Sequence, residues 1–375
     1  MGTWVAPGRV NIIGEHTDYT GGYVLPIAVP LVMRCTAVAR ADGRVRAVSR
    51  QRPGEPALAE VSGLVAQRAL LPGWSRYPLG VVAEFVRRGI RIPGIDLELD
   101  GEVPIGAGLS SSAALSCAVA VALRDMFAPG LSDRVVIDIA RGAENDYVGA
   151  PTGLLDQSAA MLCTAGHALL LDMRSLTADA TTLCTGAYEQ IPFDLSRFGL
   201  ELMVIDTGQP HELVDGRYAR RREQCAAAGR ALGVATLRDI ESVADTDRIA
   251  EGILRRRARH VVAENARVLA VAETMRAGND PRGIGPILTE GHISLRDDFE
   301  VSTPGLDIAV DAALAAGAYG ARMVGGGFGG SVIALVDRGH VELVTESVRR
   351  HFTGAALPDP RTFLVVPAAG AHRIG

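Results

Sequence analysis

Lysine is absent from the 375 residues, and all 38 basic residues are arginine. That excludes the G-x-x-x-x-G-K phosphate loop, whose lysine reaches the β- and γ-phosphates, along with Schiff-base and protein-kinase-type lysine chemistry. Any phosphoryl-transfer chemistry would have to rely instead on backbone amides, hydroxyls, arginine and metal. Cysteine is scarce and scattered (Cys35, Cys117, Cys163, Cys184 and Cys225), with no C-x-x-C or metal-ligand spacing, which fits a reducing compartment. No apolar run approaches the roughly 18 residues of a membrane span. The start has no basic-then-apolar signal pattern, and MGTWVA lacks the Ser or Thr of a myristoylation site. A cytoplasmic chain without a membrane partner is expected. The net charge of −5 argues against nucleic acid as a partner. With 48% hydrophobic and 22% charged residues, the chain is a folded protein long enough for two domains.

The densest signal is PIGAGLSSSAAL, Pro104 to Leu115. Gly106, Ala107, Gly108, Leu109, Ser110, Ser111 and Ser112 lie between an expected strand (Ile95 to Leu99) and an apolar helical run, AALSCAVAVAL. A serine before such a run is expected to N-cap it by accepting a first-turn N–H. Glycines ahead of it let the backbone approach a ligand, and the remaining amides with the helix dipole favour an anion such as phosphate. The plain alternative is a capped helix after a turn; two glycines and three hydroxyls together favour phosphate.

Ala6 to Gly22 (APGRVNIIGEHTDYTGG) crowds Arg9, Asn11, Glu15, His16, Asp18 and Tyr19 into a glycine-studded segment. Its mixture of acceptors and donors suits a polyhydroxyl ligand, whose hydroxyls both donate and accept. A metal site is the weaker rival, with one histidine and no second at helical spacing. Tyr23 to Arg40 and Arg44 to Ser49 read as strands. Tyr77 to Arg88 reads as an amphipathic helix ended by Gly89. Ser132 caps a helix to about Asp146 that carries Glu144, a residue that by itself reads as solvated. Asp156, between Leu154, Leu155 and Ala159, is expected in an apolar setting and suits a general base. Leu169 to Met173 and Gly199 to Asp206 read as strands, with a domain boundary between 180 and 200. Tyr218 to Leu232 and Arg255 to Met275 read as helices whose arginine runs face solvent. Five glycines from Gly325 to Gly330, before the strand VIALV, mark a second loop that forms part of a site.

These three segments, in this order, resemble the motifs of the GHMP small-molecule kinases. GRVNIIGEHTDYTGG resembles the galactokinase signature within that family, and LLDQ, SLRDDFEVSTP and ARMVGGGFGG add similar detail. The resemblance covers nearly the whole chain. It implies an α/β, two-domain fold, an N-terminal ribosomal-S5-like domain (residues 1–190) and a C-terminal ferredoxin-like domain (191–375), with the active site in the cleft between them. It implies phosphorylation of galactose at the anomeric O1 by ATP with Mg²⁺, in a monomer. Gly106 to Ser112 would wrap the ATP phosphates. Ser112 and Glu144 match Mg²⁺-holding positions, Asp156 the catalytic aspartate and Arg9 the arginine beside it. Glu15, His16, Thr17, Asp18, Gly153 and Tyr218 match the sugar pocket. Departures are mild: Ile12, Thr20 and Ser331 replace commoner residues, and only five residues precede Ala6, so the first strand should be exposed or covered otherwise. A kinase for N-acetylgalactosamine or arabinose is the alternative. A non-catalytic sugar-sensing regulator is disfavoured because Ser111, Ser112, Ala113, Arg9 and Asp156 are all present.

Overall fold

The structure, a computed structural model, describes residues 1–150, 152–178, 181–184, 186–209 and 216–375; Pro151, in the loop ahead of Asp156, lies outside the described residues. The strands are β1 (Gly2–Asn11), β2 (Tyr23–Val24), β3 (Pro26–Ala39), β4 (Arg44–Ser49), β5 (Ala57–Glu60), β6 (Ile95–Gly101), β7 (His167–Asp172), β8 (Tyr188–Pro192), β9 (Leu200–Asp206), β10 (Gly320–Val324), β11 (Ser331–Asp337), β12 (Arg361–Val365) and β13 (His372–Arg373). They form three sheets, ordered β13-β1-β3-β6-β4-β5, β10-β11-β9-β12 and β2-β7-β8.

In the first sheet, β1 and β3 pair antiparallel from Gly2↔Ala37 to Asn11↔Pro26, and the register shifts between Pro7 and Arg9. Such a bulge re-aims the side chain that follows it. Gly8 sits there because a Cβ would come within 2.8 Å of the Leu109 carbonyl oxygen, and the Arg9 amide donates to that oxygen at 3.1 Å. The first strand is therefore tied to the phosphate loop before any side chain is considered. Its outer edge is covered by β13, with Trp4↔Arg373 and Val5↔His372 in register.

The helix Ser111–Phe127 packs on β1 and β3 and is buried from Ala113 to Leu123 except at Leu115, its run of Ala and Val allowing close approach to the sheet. The helix Asp133–Gly142 is capped by Ser132, whose hydroxyl accepts from the Val135 amide, and then widens into π-helical turns over Ala143–Val148. Such turns often accompany functional residues, and Glu144 lies in this one.

The second sheet has apolar residues on both faces, following the two-residue period of a strand. Leu202 and Val204 of β9 and Ile333 and Leu335 of β11 join the large core beneath the first sheet. Met203 and Ile205, with Val332, Ala334 and Val336, join a second core under the helices Arg217–Leu232, Pro304–Ala315 and Val341–Gly354. Edge strand β10 would leave amides unpaired, but side chains cover them: Ala321 N donates to Thr289 Oγ1 and Met323 N to His292 Nδ1, and just past the strand Gly325 N donates to Glu15 Oε1.

Where the sheets meet, Arg322 of β10 is fully buried, 3.1 Å from Glu15 and 3.3 Å from Glu264 of the helix Gly252–Arg276. Its Nη1 donates to the Ile12 carbonyl (2.9 Å), Glu264 accepts from the Gly14 amide (3.0 Å), and Arg267 pairs with Glu264 at 2.8 Å. Burial alone would raise the Glu264 pKa, but Arg322 and Arg267 hold it at about 2. Replacing Arg322 by Met leaves Glu15 without its cation. The expected loss is about 3–5 kcal/mol, read as a lower denaturation midpoint at unchanged slope. An unchanged midpoint would mean the buried charges find other partners.

Candidate active site

Two hollows meet along one wall. One is lined by Asn11, Glu15, His16, Asp18, Gly153 and Tyr218; the other by Tyr77, Gly106, Gly108 and Ser110 to Ser112. Arg9, Thr152, Asp156, Gly325 and Gly326 line both. The bulge in β1 delivers Arg9, and the first turn of the helix Leu155–Leu162 delivers Asp156. Arg9 Nε and Nη2 reach Asp156 Oδ1 at 2.8 and 2.6 Å, while Nη1 donates to the Gly108 carbonyl at 2.7 Å. Asp156 is not in an apolar setting, as its neighbours suggested. Leu154, Leu155 and Ala159 turn into the core, leaving the carboxylate in the cleft between Arg9 and Ser110.

The phosphate loop adopts left-handed backbone at Gly106 (φ +83°), Gly108 (+74°) and Ser110 (+56°). The helix begins at Ser111, and its first amide bond runs from Ala114 N to Ser110 O (3.0 Å), so the amides of Ser111 to Ala113 lack an intrahelical partner. Ser110 does not cap them, contrary to expectation: its hydroxyl donates to Asp156 Oδ2 at 2.5 Å. Ala107 and Leu109 are buried; Leu109 is among the residues lining the hollow, and the Ala107 carbonyl accepts at 2.6 Å from Ser331, the first residue of β11 after the second glycine loop. The three motifs are thus bonded to one another.

Glu15 is buried, and both its oxygens are occupied. Oε1 accepts from the Gly325 amide (2.7 Å) and Oε2 from Asn11 (2.5 Å), and Oε2 is ion-paired with Arg322 at 3.1 Å. Burial raises its pKa against the pull of Arg322. His16, also left-handed (φ +64°), is held by Tyr19 at Nδ1 and faces Gly326 O at Nε2, with the rings of Tyr218 and Phe299 beside it. Asp18 lies against Gly153 so closely that a Cβ there would be 1.9 Å from Oδ2; only glycine fits. Burial, and then the charge of Asp156, push the Asp18 pKa up to about 6. Thr17 stays out of the hollow: it is buried and its hydroxyl is within 2.8 Å of the Gly14 carbonyl and 2.6 Å of that of Tyr23. Tyr218, at the start of its helix, closes the far side.

Deeper in, Glu144 is buried, accepting from Ser112 Oγ at 3.2 Å and from Gln157 Nε2 at 3.0 Å. Burial and the charge of Asp156 raise its pKa to about 8, against these two hydrogen bonds. Among the described residues no group of three or more His, Cys, Asp or Glu is arranged so that it could hold a metal ion. A metal here would take one carboxylate and one hydroxyl from the chain.

Tyr77 and Thr152 also line the hollows, as does Asn11. Asn11 stood in the first motif, while Tyr77 and Thr152 carry no local signal. Gly325 and Gly326 belong to a loop marked as site-forming by its glycines alone. Arg322 and Glu264 gave no sign, because an arginine in a strand and a glutamate in a long helix read as surface.

The fold and the cleft define a GHMP-type small-molecule kinase. The model of the GHMP kinases N terminal domain matches residues 76–164, that of the GHMP kinases C terminal matches 269–354, and the galactokinase galactose-binding signature matches 2–41. The chain is 45% identical to a galactokinase of Streptomyces coelicolor, over 100% of this chain and 94% of that protein. It is 39% identical to a galactokinase of Mycobacterium tuberculosis, over 98% and 97%. The structure of Lactococcus lactis galactokinase complexed with galactose superposes with a TM-score of 0.91 at 30% identity, covering 100% of this chain and 95% of that one. Methanococcus jannaschii mevalonate kinase shares the fold, with a TM-score of 0.64 at 15% identity over 100% and 98% of the two chains. The chain belongs to the galactokinase family.

Because the Asp18 pKa rises on folding from an ordinary 3.8 to about 6, the folded state binds more protons across that window and loses stability as pH climbs through it. Asp18→Asn removes this loss. Without ligand it is expected to be more stable by about 1–2 kcal/mol above pH 6, with the gain vanishing near pH 4. Thermal midpoints of both proteins across that range test this; a gain that persists at low pH would contradict it.

Proposed function

We propose that this chain transfers the γ-phosphoryl group of ATP to the anomeric O1 of α-D-galactose, giving galactose 1-phosphate and ADP. The observation that carries this is the Arg9–Asp156 pair on the wall shared by a hollow rich in hydroxyl-binding groups and one built on the glycine–serine loop. The name and bound galactose of the Lactococcus lactis structure support the same reading. Residues 1–190 carry both loops and Asp156, and 191–375 add Tyr218 and the second glycine loop. The five cysteines are free, four of them buried, as a cytoplasmic setting allows. No helix of the described residues is long and apolar enough to cross a membrane.

In this reading Glu15, His16, Asp18, Gly153 and Tyr218 hold the sugar; Thr17 shapes their loop from beneath. Asp156 accepts the O1 proton, or orients it, as that oxygen attacks the γ-phosphorus. Arg9, paired with that carboxylate, offsets charge developing on the phosphoryl group. The backbone amides from Gly106 to Ala113 receive the phosphates, doing without a lysine. Mg²⁺ fits at Ser112 and Glu144. The two side chains adjoin, Glu144 is a buried carboxylate lacking a nearby cation of its own beyond Arg9, and two protein ligands suit an ion that keeps phosphates and waters. Bound there, it supplies further neutralisation of phosphate charge.

Galactose and glucose differ in the direction of O4, so discrimination falls to a fixed acceptor such as Asp18, pinned against Gly153. Leaving a buried polar group unpaired costs about 1–3 kcal/mol, which implies roughly tenfold to hundredfold rejection of glucose. ADP release measured across a panel of hexoses tests this; equal kcat/KM for galactose and glucose would sink the specificity. Asp156→Ala is expected to abolish turnover while both substrates bind, since its role lies in the transition state. Glu144→Ala should raise the Mg²⁺ concentration needed for half-maximal rate and leave galactose affinity, measured calorimetrically, unchanged. An unaltered Mg²⁺ dependence removes Glu144 from the metal site.

A further inference from the structure

Ser110 holds a backbone conformation that serine disfavours, φ 56° and ψ 47°, immediately before the helix Ser111–Phe127. Its position is that of an N-cap, yet its side chain satisfies none of the first-turn amides. The hydroxyl instead donates to Asp156 Oδ2 at 2.5 Å, across 46 residues of sequence. The other oxygen of the same carboxylate is taken by Arg9, whose Nη1 donates to the Gly108 carbonyl. The phosphate loop is therefore fastened to the aspartate twice, once on either side of Leu109. Strained backbone persists where the surroundings enforce it, and such positions concentrate at functional sites.

We propose that Ser110 is a positioning residue for Asp156: its hydrogen bond to Oδ2 fixes the rotation of the carboxylate and couples that rotation to the phosphate loop. The inference rests on the assignment of Asp156 as the group that receives the sugar's O1 proton. A carboxylate oxygen can accept two hydrogen bonds. With Arg9 on Oδ1 and Ser110 on one lone pair of Oδ2, the second lone pair of Oδ2 remains for the sugar hydroxyl, and the carboxylate plane no longer turns freely. Because both tethers start in the loop that receives the phosphates, a nucleotide that draws the loop into place also sets the aspartate. The amides of Ser111 to Ala113, left uncapped, stay available to that nucleotide.

Three variants separate this role from a structural one. Ser110→Gly removes the hydroxyl while relieving the left-handed backbone, so it folds with a thermal midpoint equal to or above that of the parent. Its kcat is expected to fall about tenfold to a hundredfold, the range for loss of one well-placed acid–base or orienting group, with the KM for galactose within twofold. Ser110→Asn tolerates the same backbone and restores an N–H donor toward Asp156; it should recover most of the lost kcat. A Ser110→Gly enzyme with kcat within twofold of the parent overturns the proposal, as does an Asn variant no faster than the Gly variant. Asp156→Asn is the third arm. If it keeps parental kcat, the assignment of Asp156 fails and this inference with it. If it is inactive while Ser110→Gly is fully active, only the inference fails.

Discussion

The fully buried Arg322, set between Glu15 and Glu264, is the constraint on which the site depends. Removing a charge from water costs several kcal/mol unless partners of opposite sign replace the lost solvation. Arg322 comes from β10, Glu264 from the long helix Gly252–Arg276 and Glu15 from the loop after β1, so no one element can bury its charge alone. The energy is low only when all three meet, with Arg267 and the Gly14 amide completing the set. Assembly of the two halves and shaping of the sugar loop are then one event. Gly14, at φ +106°, supplies the turn that lets its amide point at Glu264, while the Ile12 carbonyl points back at Arg322.

The absence of lysine becomes intelligible at the same level. Arg9 bonds two acceptors of different kinds at once, Asp156 and the Gly108 carbonyl, through a rigid planar fork. Arg322 likewise donates to the Ile12 carbonyl while ion-paired with two carboxylates. A lysine ammonium, compact and on a flexible stem, offers no such fixed divergence. The proposed function leaves phosphates to backbone amides, whose positions come from glycines and from Ser110 in left-handed conformations.

Much of this was legible in the sequence. Strand and helix periods marked β3, β4, β6 and the helix Ser111–Phe127, because their apolar positions repeat at the spacing of the surface they bury, whereas β1 was hidden in a segment read for its glycines and polar residues. The glycine loops announced themselves because few other residues fit such backbone. Long-range partnership was illegible. Nothing near Ser110 shows that its hydroxyl leaves the helix end for Asp156. Nothing near Asp156 shows that its leucine neighbours turn away from it. Thr17, inside the sugar motif, spends its hydroxyl on two backbone carbonyls. A motif names a segment, and only the fold decides which of its side chains face the ligand.

The charges in the cleft explain why it is poised for its substrates. Asp18, Asp156 and Glu144 are close enough that the charge of Asp156 raises the pKa of both others, and Arg9 is the cation set directly on this group. Before ligands arrive, the arrangement is electrostatically unfavourable, as sites tuned for function commonly are. Sugar hydroxyls can relieve Asp18 by donating to it. Phosphates relieve nothing, since they add negative charge beside Ser112 and Glu144. In the proposed function a nucleotide entering this cleft would have to bring positive charge with it, which is the part the proposal gives to Mg²⁺ at the Ser112–Glu144 pair.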